Sequence, residues 1–99
     1  HEKNEGLNKG ALLYTNYCAS CHKEDGKGID HTFPALLKSP VVTGDKKLLV
    51  HTVMNGRNAM PKFSFIEDKE LAELLTYVRK QFGQGADAVS TEDIKKGRN

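Results

Sequence analysis

The 99-residue sequence contains no tryptophan, two cysteines and three prolines, and it has no long apolar run. Two cysteines cannot form the dense disulfide network that supports many small secreted domains. Without about 20 consecutive apolar residues, no segment is suited to cross a bilayer as a helix. The 15 basic and 13 acidic residues leave a net charge of +2, which is too small an excess to indicate nucleic-acid binding.

The apolar residues that are present suffice for one small core. A chain of this length buries about 65% of its extended surface on folding, and such chains often add a disulfide, a metal or a cofactor. The sequence begins with His1-Glu2-Lys3, which is unlike the start of a secretory leader. We therefore expect a single domain that is a mature or excised segment.

Three segments have the apolar spacing of amphipathic helices, namely residues 5–17, 45–55 and 67–82. In the third, acidic residues at the start and Arg79 and Lys80 at the end oppose the helix dipole. No segment alternates with a period of two, so we predict an all-α fold. The intervening loops, residues 22–44 and 56–66, are long enough to indicate a functional role.

The C-terminal residues after Phe82 are mostly polar, starting with Gly83-Gln84-Gly85. We predict that residues 1–83 form the domain and that residues 84–99 form a tail or linker. A short capped turn is expected near Ser90 within this tail.

The sequence Cys18-Ala19-Ser20-Cys21-His22 is a CxxCH motif. Thiols at this spacing can add to the two vinyl groups of one haem, and the adjacent histidine can then coordinate the iron. A redox CxxC usually lies in a βαβ context, a structural zinc site needs four ligands, and a disulfide would close only a tiny loop. We therefore predict one covalent haem c, attached through Cys18 and Cys21, with His22 as an axial ligand.

Met60 is the predicted second axial ligand. It lies in a loop rich in Gly, Asn and Pro, outside the apolar face of any predicted helix, so its side chain is not expected to pack in the core. Pro61 restricts the backbone of Met60 to extended conformations. Met54 lies on the second predicted helix and is expected to fill the core. The other histidines are expected at the surface: His1, His31 and His51.

These residues together resemble the monohaem class I cytochrome c domain, either a small bacterial cytochrome or a domain of a larger oxidoreductase. The resemblance covers residues 5–83 and includes Gly10, Tyr14, the CxxCH motif, Phe33 to Leu36, Asn55-Gly56, Met60-Pro61, Leu74 and Tyr77. It implies the cytochrome c fold, with three main helices and long loops wrapped around one covalent haem. It also implies that Gly10 lets the first and last helices cross closely, and that the Pro34 carbonyl accepts a hydrogen bond from the haem-ligand imidazole.

The expected function is one-electron transfer, with the iron cycling between Fe(III) and Fe(II) and both axial positions filled. We expect an electron carrier and not an enzyme. Two alternatives stay open at this point. One is a haem peroxidase or sensor with an open sixth position. The other is a cytochrome domain of a quinoprotein dehydrogenase, a copper nitrite reductase or an oxidase subunit.

Protein redox partners are expected to dock at the exposed haem edge, near loop lysines at positions 23, 27, 38 and 62. Arg57, three residues before Met60, is predicted to pair with a haem propionate. We expect a monomer without a transmembrane segment. Bacteria attach thioether haem outside the cytoplasmic membrane, so the resemblance implies a periplasmic or otherwise extracytoplasmic location.

Overall fold

The structure is a computed structural model that describes residues 2–98, with side chains from Asn8 onward. It contains helices at α1 (Glu2–Tyr17), α2 (Ala19–His22), α3 (Pro40–Thr43), α4 (Lys46–Asn55), α5 (Asp68–Phe82) and α6 (Thr91–Gly97). Within residues 2–98 the only β pairings are two isolated bridges, Ile29–Phe33 and Arg57–Met60. The predicted all-α fold is confirmed, and no helix in this part of the chain is both long and apolar enough to span a membrane.

Helices α1 and α5 cross closely at Gly10. A Cβ atom at this position would lie 2.6 Å from Cβ of Tyr77 and against the backbone carbonyl of Glu73. One turn further along α1, the Tyr14 ring is buried with its centroid 5.7 Å from that of Tyr77 and 5.2 Å from that of Phe82. The absence of a side chain at Gly10 thus lets the aromatic residues of both helices form the centre of the core.

Local capping explains where α4 and α5 begin and end. The Asp45 side chain accepts a hydrogen bond from the Lys47 amide, and Gly56 ends α4 with a φ of 76°. Helix α5 begins at Asp68, and its N-cap residue Glu67 makes no side-chain capping bond. This start agrees with the weak capping capacity of Glu67.

The short helix α3 lies inside a segment predicted to be a loop. Ser39 caps this helix, and Pro40 occupies its first turn.

The C-terminal segment, residues 84–98, packs against α4 and α5. Val89 and Ile94 are buried with the rest of the core. Thr76 of α5 exchanges two hydrogen bonds with the Val89 backbone through its hydroxyl. Ser90 and Asp93 form a capping box at the start of α6. The segment predicted as a tail or linker therefore contributes two side chains to the core of the domain.

Arg79 is a buried charged residue, with 4% of its surface exposed. Its guanidinium donates hydrogen bonds to the carbonyl oxygens of Val42, Gly44 and Asp87 at 2.7–3.1 Å. These carbonyls belong to α3, to the α3–α4 connection and to the C-terminal segment. Arg79 thus joins two distant parts of the chain to α5.

Candidate functional site

The CxxCH motif lies at the junction of α1 and α2. The Cys18 amide donates to the Tyr14 carbonyl at 2.8 Å, and the His22 amide donates to the Cys18 carbonyl at 2.9 Å. Cys18 is the N-cap of α2, which contains Cys21 and His22. The helical turn therefore brings the two thiols and the imidazole together on one short segment.

Both cysteines are partly exposed, and neither forms a disulfide within the described residues. Burial, and secondarily the neighbouring Cys21, raises the pKa of the Cys18 thiol to about 12. A thiol-disulfide oxidoreductase needs a lowered pKa to form its attacking thiolate. Burial thus disfavours the Cys18 thiolate, unlike the environment of a redox CxxC.

His22 is oriented by a loop that follows it in the chain. Its Nδ1 atom lies 2.8 Å from the carbonyl oxygen of Pro34. A carbonyl can only accept, so Nδ1 is the protonated donor and Nε2 keeps its lone pair. The structure thus contains the hydrogen bond that the resemblance implies, and the free ring nitrogen is suited to coordinate a metal.

Gly28 supports this hydrogen bond, and sequence reasoning did not identify it. Its amide donates to the His22 carbonyl at 2.9 Å, and its φ is 66°. A Cβ atom here would overlap the Phe33 carbonyl oxygen and lie 2.8 Å from the Pro34 oxygen. The signal in the sequence is a glycine between the CxxCH motif and the Phe-Pro segment, at a point where the chain must turn back on itself.

Tyr14 binds the backbone of the residue that follows His22. Its hydroxyl donates a hydrogen bond of 2.6 Å to the carbonyl oxygen of Lys23, a residue in the left-handed region with a φ of 70°. Burial is the main reason that the pKa of the Tyr14 hydroxyl is raised, so it remains a donor at neutral pH. The aromatic position recognised in the first helix therefore also fixes the backbone after His22.

Met60 closes a tight turn between α4 and α5. The Met60 amide donates to the Arg57 carbonyl at 2.8 Å, and the Arg57 amide donates to the Met60 carbonyl at 3.3 Å. Gly56 precedes this turn, and a Cβ atom there would lie 2.6 Å from the Met60 carbonyl oxygen. The Met60 side chain is half-buried and packs against the core, whereas Met54 is a core residue, 3% exposed.

The remaining predicted site residues lie at the surface. Arg57 is exposed, as are the lysines at positions 23, 27, 38 and 62. His31 and His51 are also exposed, and His1 lies outside the described residues. The Arg57 side chain has no ion pair with any carboxylate among residues 8–98.

The donor groups fit a covalently bound haem. Two cysteines stand in a CxxC sequence, one imidazole has a single engaged nitrogen, and one thioether lies in a loop fixed by hydrogen bonds. An apolar macrocycle also needs apolar walls. Several large apolar side chains are more than a third exposed, among them Leu12, Tyr17, Leu48 and Phe65. An open depression beside Pro34 has a mixed lining, with Ile29 and Phe33 next to polar residues such as Asp30 and Thr32.

Similarities to known proteins agree with this chemistry. The profile of the family described as cytochrome c oxidase, cbb3-type, subunit III, matches residues 5–78. The cytochrome c subunit of the quinone alcohol dehydrogenase from Gluconobacter oxydans (strain 621H) is 37% identical over 105 residues, which include 92% of this chain. The chain spans only 22% of the length of that subunit.

Two smaller proteins match over most of their length. Cytochrome c6 from Diacronema lutheri is 35% identical over 78 residues, which include 75% of this chain and 94% of that protein. The solved structure of cytochrome c6 from the diatom Phaeodactylum tricornutum has a TM-score of 0.60 at 23% identity. The alignment covers 92% of this chain and 97% of that structure, which shows a shared fold.

Proposed function

Since the chain belongs to the cytochrome c family, whose cofactor is covalently bound haem c, we propose that it transfers single electrons with His22 and Met60 as axial ligands. In this proposal Cys18 and Cys21 form the thioether bonds. The chain is an electron carrier and not an enzyme in its own right. Bound haem supplies reversible one-electron chemistry between ferric and ferrous iron.

The hydrogen bond from His22 Nδ1 to the Pro34 carbonyl carries the ligand proposal. It fixes the tautomer in which Nε2 is unprotonated, and it raises the basicity of the ring. A metal-ligating histidine almost always has such an acceptor on its other nitrogen. His31 and His51 are exposed, and neither ring donates to a backbone carbonyl among the hydrogen bonds of residues 8–98; the His51 Nδ1 atom lies 3.1 Å from the side-chain nitrogen of Asn55.

Met60 supports the second half of the proposal because its position is fixed without being fully buried. A neutral thioether is a soft and weak donor, so it favours the ferrous state and raises the potential above that of a bis-histidine site. A filled sixth position also excludes oxygen, peroxide and small substrates. This favours electron transfer over a peroxidase or sensor function.

Arg57 is proposed to pair with a haem propionate, because its exposed guanidinium lies three residues before Met60 and has no carboxylate partner in residues 8–98. Replacing it by alanine is expected to change the reduction potential and its pH dependence. An unchanged potential at every pH would contradict the pairing.

We further propose that the chain works within a larger redox assembly. The sequence match to the dehydrogenase subunit includes 92% of this chain but only 22% of that subunit, so in that relative the matching domain is part of a larger polypeptide. Two propionates would bring the net charge of +2 close to zero, so docking would depend on local groups such as the exposed loop lysines. Relatives of this kind receive their haem outside the cytoplasm, and we propose a periplasmic location.

A haemochrome spectrum combined with a redox titration tests the function directly. We expect one haem c for each chain, a one-electron Nernst curve, and no carbon monoxide binding by the reduced protein at neutral pH. Ready binding of carbon monoxide would instead indicate an open sixth position and favour the sensor or peroxidase alternative.

A further inference from the structure

We propose that the C-terminal segment fixes the Met60 loop, residues 56–67, and that Arg98 is its positioning residue. The inference rests on the proposed function in one respect, namely that Met60 is an axial ligand. The family profile ends at residue 78, so the segment lies beyond the part of the chain that the profile describes. Its contacts nevertheless converge on the loop that supplies the sixth ligand.

The Arg98 guanidinium binds three groups at the end of the Met60 loop. Nη1 donates to the Ser64 carbonyl at 2.7 Å and Nη2 donates to the Ile66 carbonyl at 2.5 Å. Nε donates to the Asp68 carboxylate at 2.6 Å. One rigid planar group therefore holds the last part of the loop and the first residue of α5 in a fixed relation.

Helix α6 gives Arg98 a fixed position relative to α4. Ile94 is fully buried, and Lys46 of α4 binds both the Ala88 carbonyl and the Asp93 carboxylate. Gly97 lies against Val50 so closely that a Cβ atom would overlap the valine side chain. The last turn of α6 is thus seated on α4, the helix from which the Met60 loop departs.

Backbone hydrogen bonds connect the residues that Arg98 binds to the segment next to Met60. The Ile66 amide donates to the Phe63 carbonyl at 3.1 Å, and the Phe63 amide donates to the Val53 carbonyl at 2.9 Å. Phe63 is buried, and only Pro61 and Lys62 separate it from Met60. The loop is therefore held on one side by the Arg57–Met60 turn and on the other by the residues that Arg98 binds.

The two carbonyl bonds matter more than the ion pair. The side chains of Arg98 and Asp68 are 30% and 31% exposed, and ion pairs of this exposure contribute little to stability. Hydrogen bonds from a charged donor to backbone carbonyls are stronger than neutral ones and define direction as well as distance. Loss of the guanidinium should therefore loosen residues 63–67 before it unfolds the domain.

The test compares Arg98→Gln with Lys95→Gln in the haem-loaded protein. Lys95 is exposed on the same helix, so both variants lose one positive charge. Oxidised protein is titrated with urea while two signals are followed: the red absorption band from sulfur-to-iron charge transfer, and the helical circular dichroism. Hydrogen exchange of the Phe63 and Ile66 amides is measured without urea.

For Arg98→Gln we expect the red band to be lost at lower urea than the helical signal, and the two amides to exchange about tenfold faster, because charged hydrogen bonds are lost. Lys95→Gln should leave both readouts as in the wild type. Gly97→Ala should behave like Arg98→Gln, because it displaces α6 while keeping the guanidinium.

Parallel loss of both signals in Arg98→Gln, with unchanged amide exchange, would overturn the inference and leave the proposed function intact. A wild-type protein without the red band would overturn the ligand role of Met60 and, with it, this inference. The two failures are therefore distinguishable.

Discussion

The Nδ1 atom of His22 and the carbonyl oxygen of Pro34 lie 2.8 Å apart across a loop of the chain. This hydrogen bond joins the CxxCH turn to the Phe-Pro segment and determines which ring nitrogen is free. Gly28 lies between them, bonded to the His22 carbonyl and close to Pro34. The orientation of the proposed ligand thus depends on a glycine that coordinates nothing.

Gly28→Ala is expected to destabilise the protein by about 2 kcal/mol or more. An alanine at positive φ costs about 1 kcal/mol by itself, and the Cβ atom must also displace the carbonyl oxygens of Phe33 and Pro34. Gly85→Ala is a matched control, since Gly85 has a φ of 74° but no atoms near its Cβ position. Urea unfolding measures both losses. Equal losses would show that Gly28 has no role beyond its backbone conformation.

Arg79→Met is expected to lower the free energy of unfolding by about 3 kcal/mol. The carbonyl oxygens of Val42, Gly44 and Asp87 would lose a donor. The bond to Val42 is buried, and a buried group without a partner costs about 1–3 kcal/mol, while the two part-buried bonds add less. Lys80→Met, at an exposed position on the same helix, should change stability by less than about 0.5 kcal/mol. Denaturant titration of both variants tests this, and similar values would contradict the joining role of Arg79.

The contribution of Asp93 to stability is expected to depend on pH. Hydrogen bonding from the Ser90 amide is the main cause that lowers the pKa of Asp93 in the folded state, with Lys46 adding to it. The folded pKa lies below the unfolded value of about 3.9, so the stabilisation is present above pH 4 and is lost as pH falls through the folded pKa.

The measurement compares the wild type with Asp93→Asn by urea unfolding from pH 6 to pH 2. The stability difference between the two proteins should shrink towards the acid end. Glu92→Gln, one residue away and outside the capping box, serves as the control. A difference that stays constant over this range would contradict the account.

Local signals made α4 and α5 predictable from the sequence. Asp45 and Gly56 bound α4, and the apolar stripe of α5 is long enough to define its period. Helix α6 lacks such a stripe, because Ile94 is its only fully buried residue and Val89 precedes it. Its position depends on long-range contacts with α4 and α5, which no local pattern records.

The proposed site stays a prediction, but its residues differ in how the sequence indicates them. Cys18, Cys21 and His22 lie within five residues, so one motif indicates them, while the Pro34 contact came only from the resemblance. Arg79 shows the limit of local reasoning. Its place near the end of α5 indicates a charge that opposes the helix dipole, but in the structure it is buried among carbonyls from distant segments.

The two methionines test the central claim, because one is proposed to bind the iron and the other fills the core. Met54 is buried on α4, whereas Met60 lies in the loop between α4 and α5. The measurement is the red charge-transfer band of the oxidised protein in Met60→Leu and Met54→Leu. We predict that the band disappears in Met60→Leu, with a lower reduction potential and carbon monoxide binding in the reduced state, and persists in Met54→Leu. A band that survives in Met60→Leu would contradict this prediction.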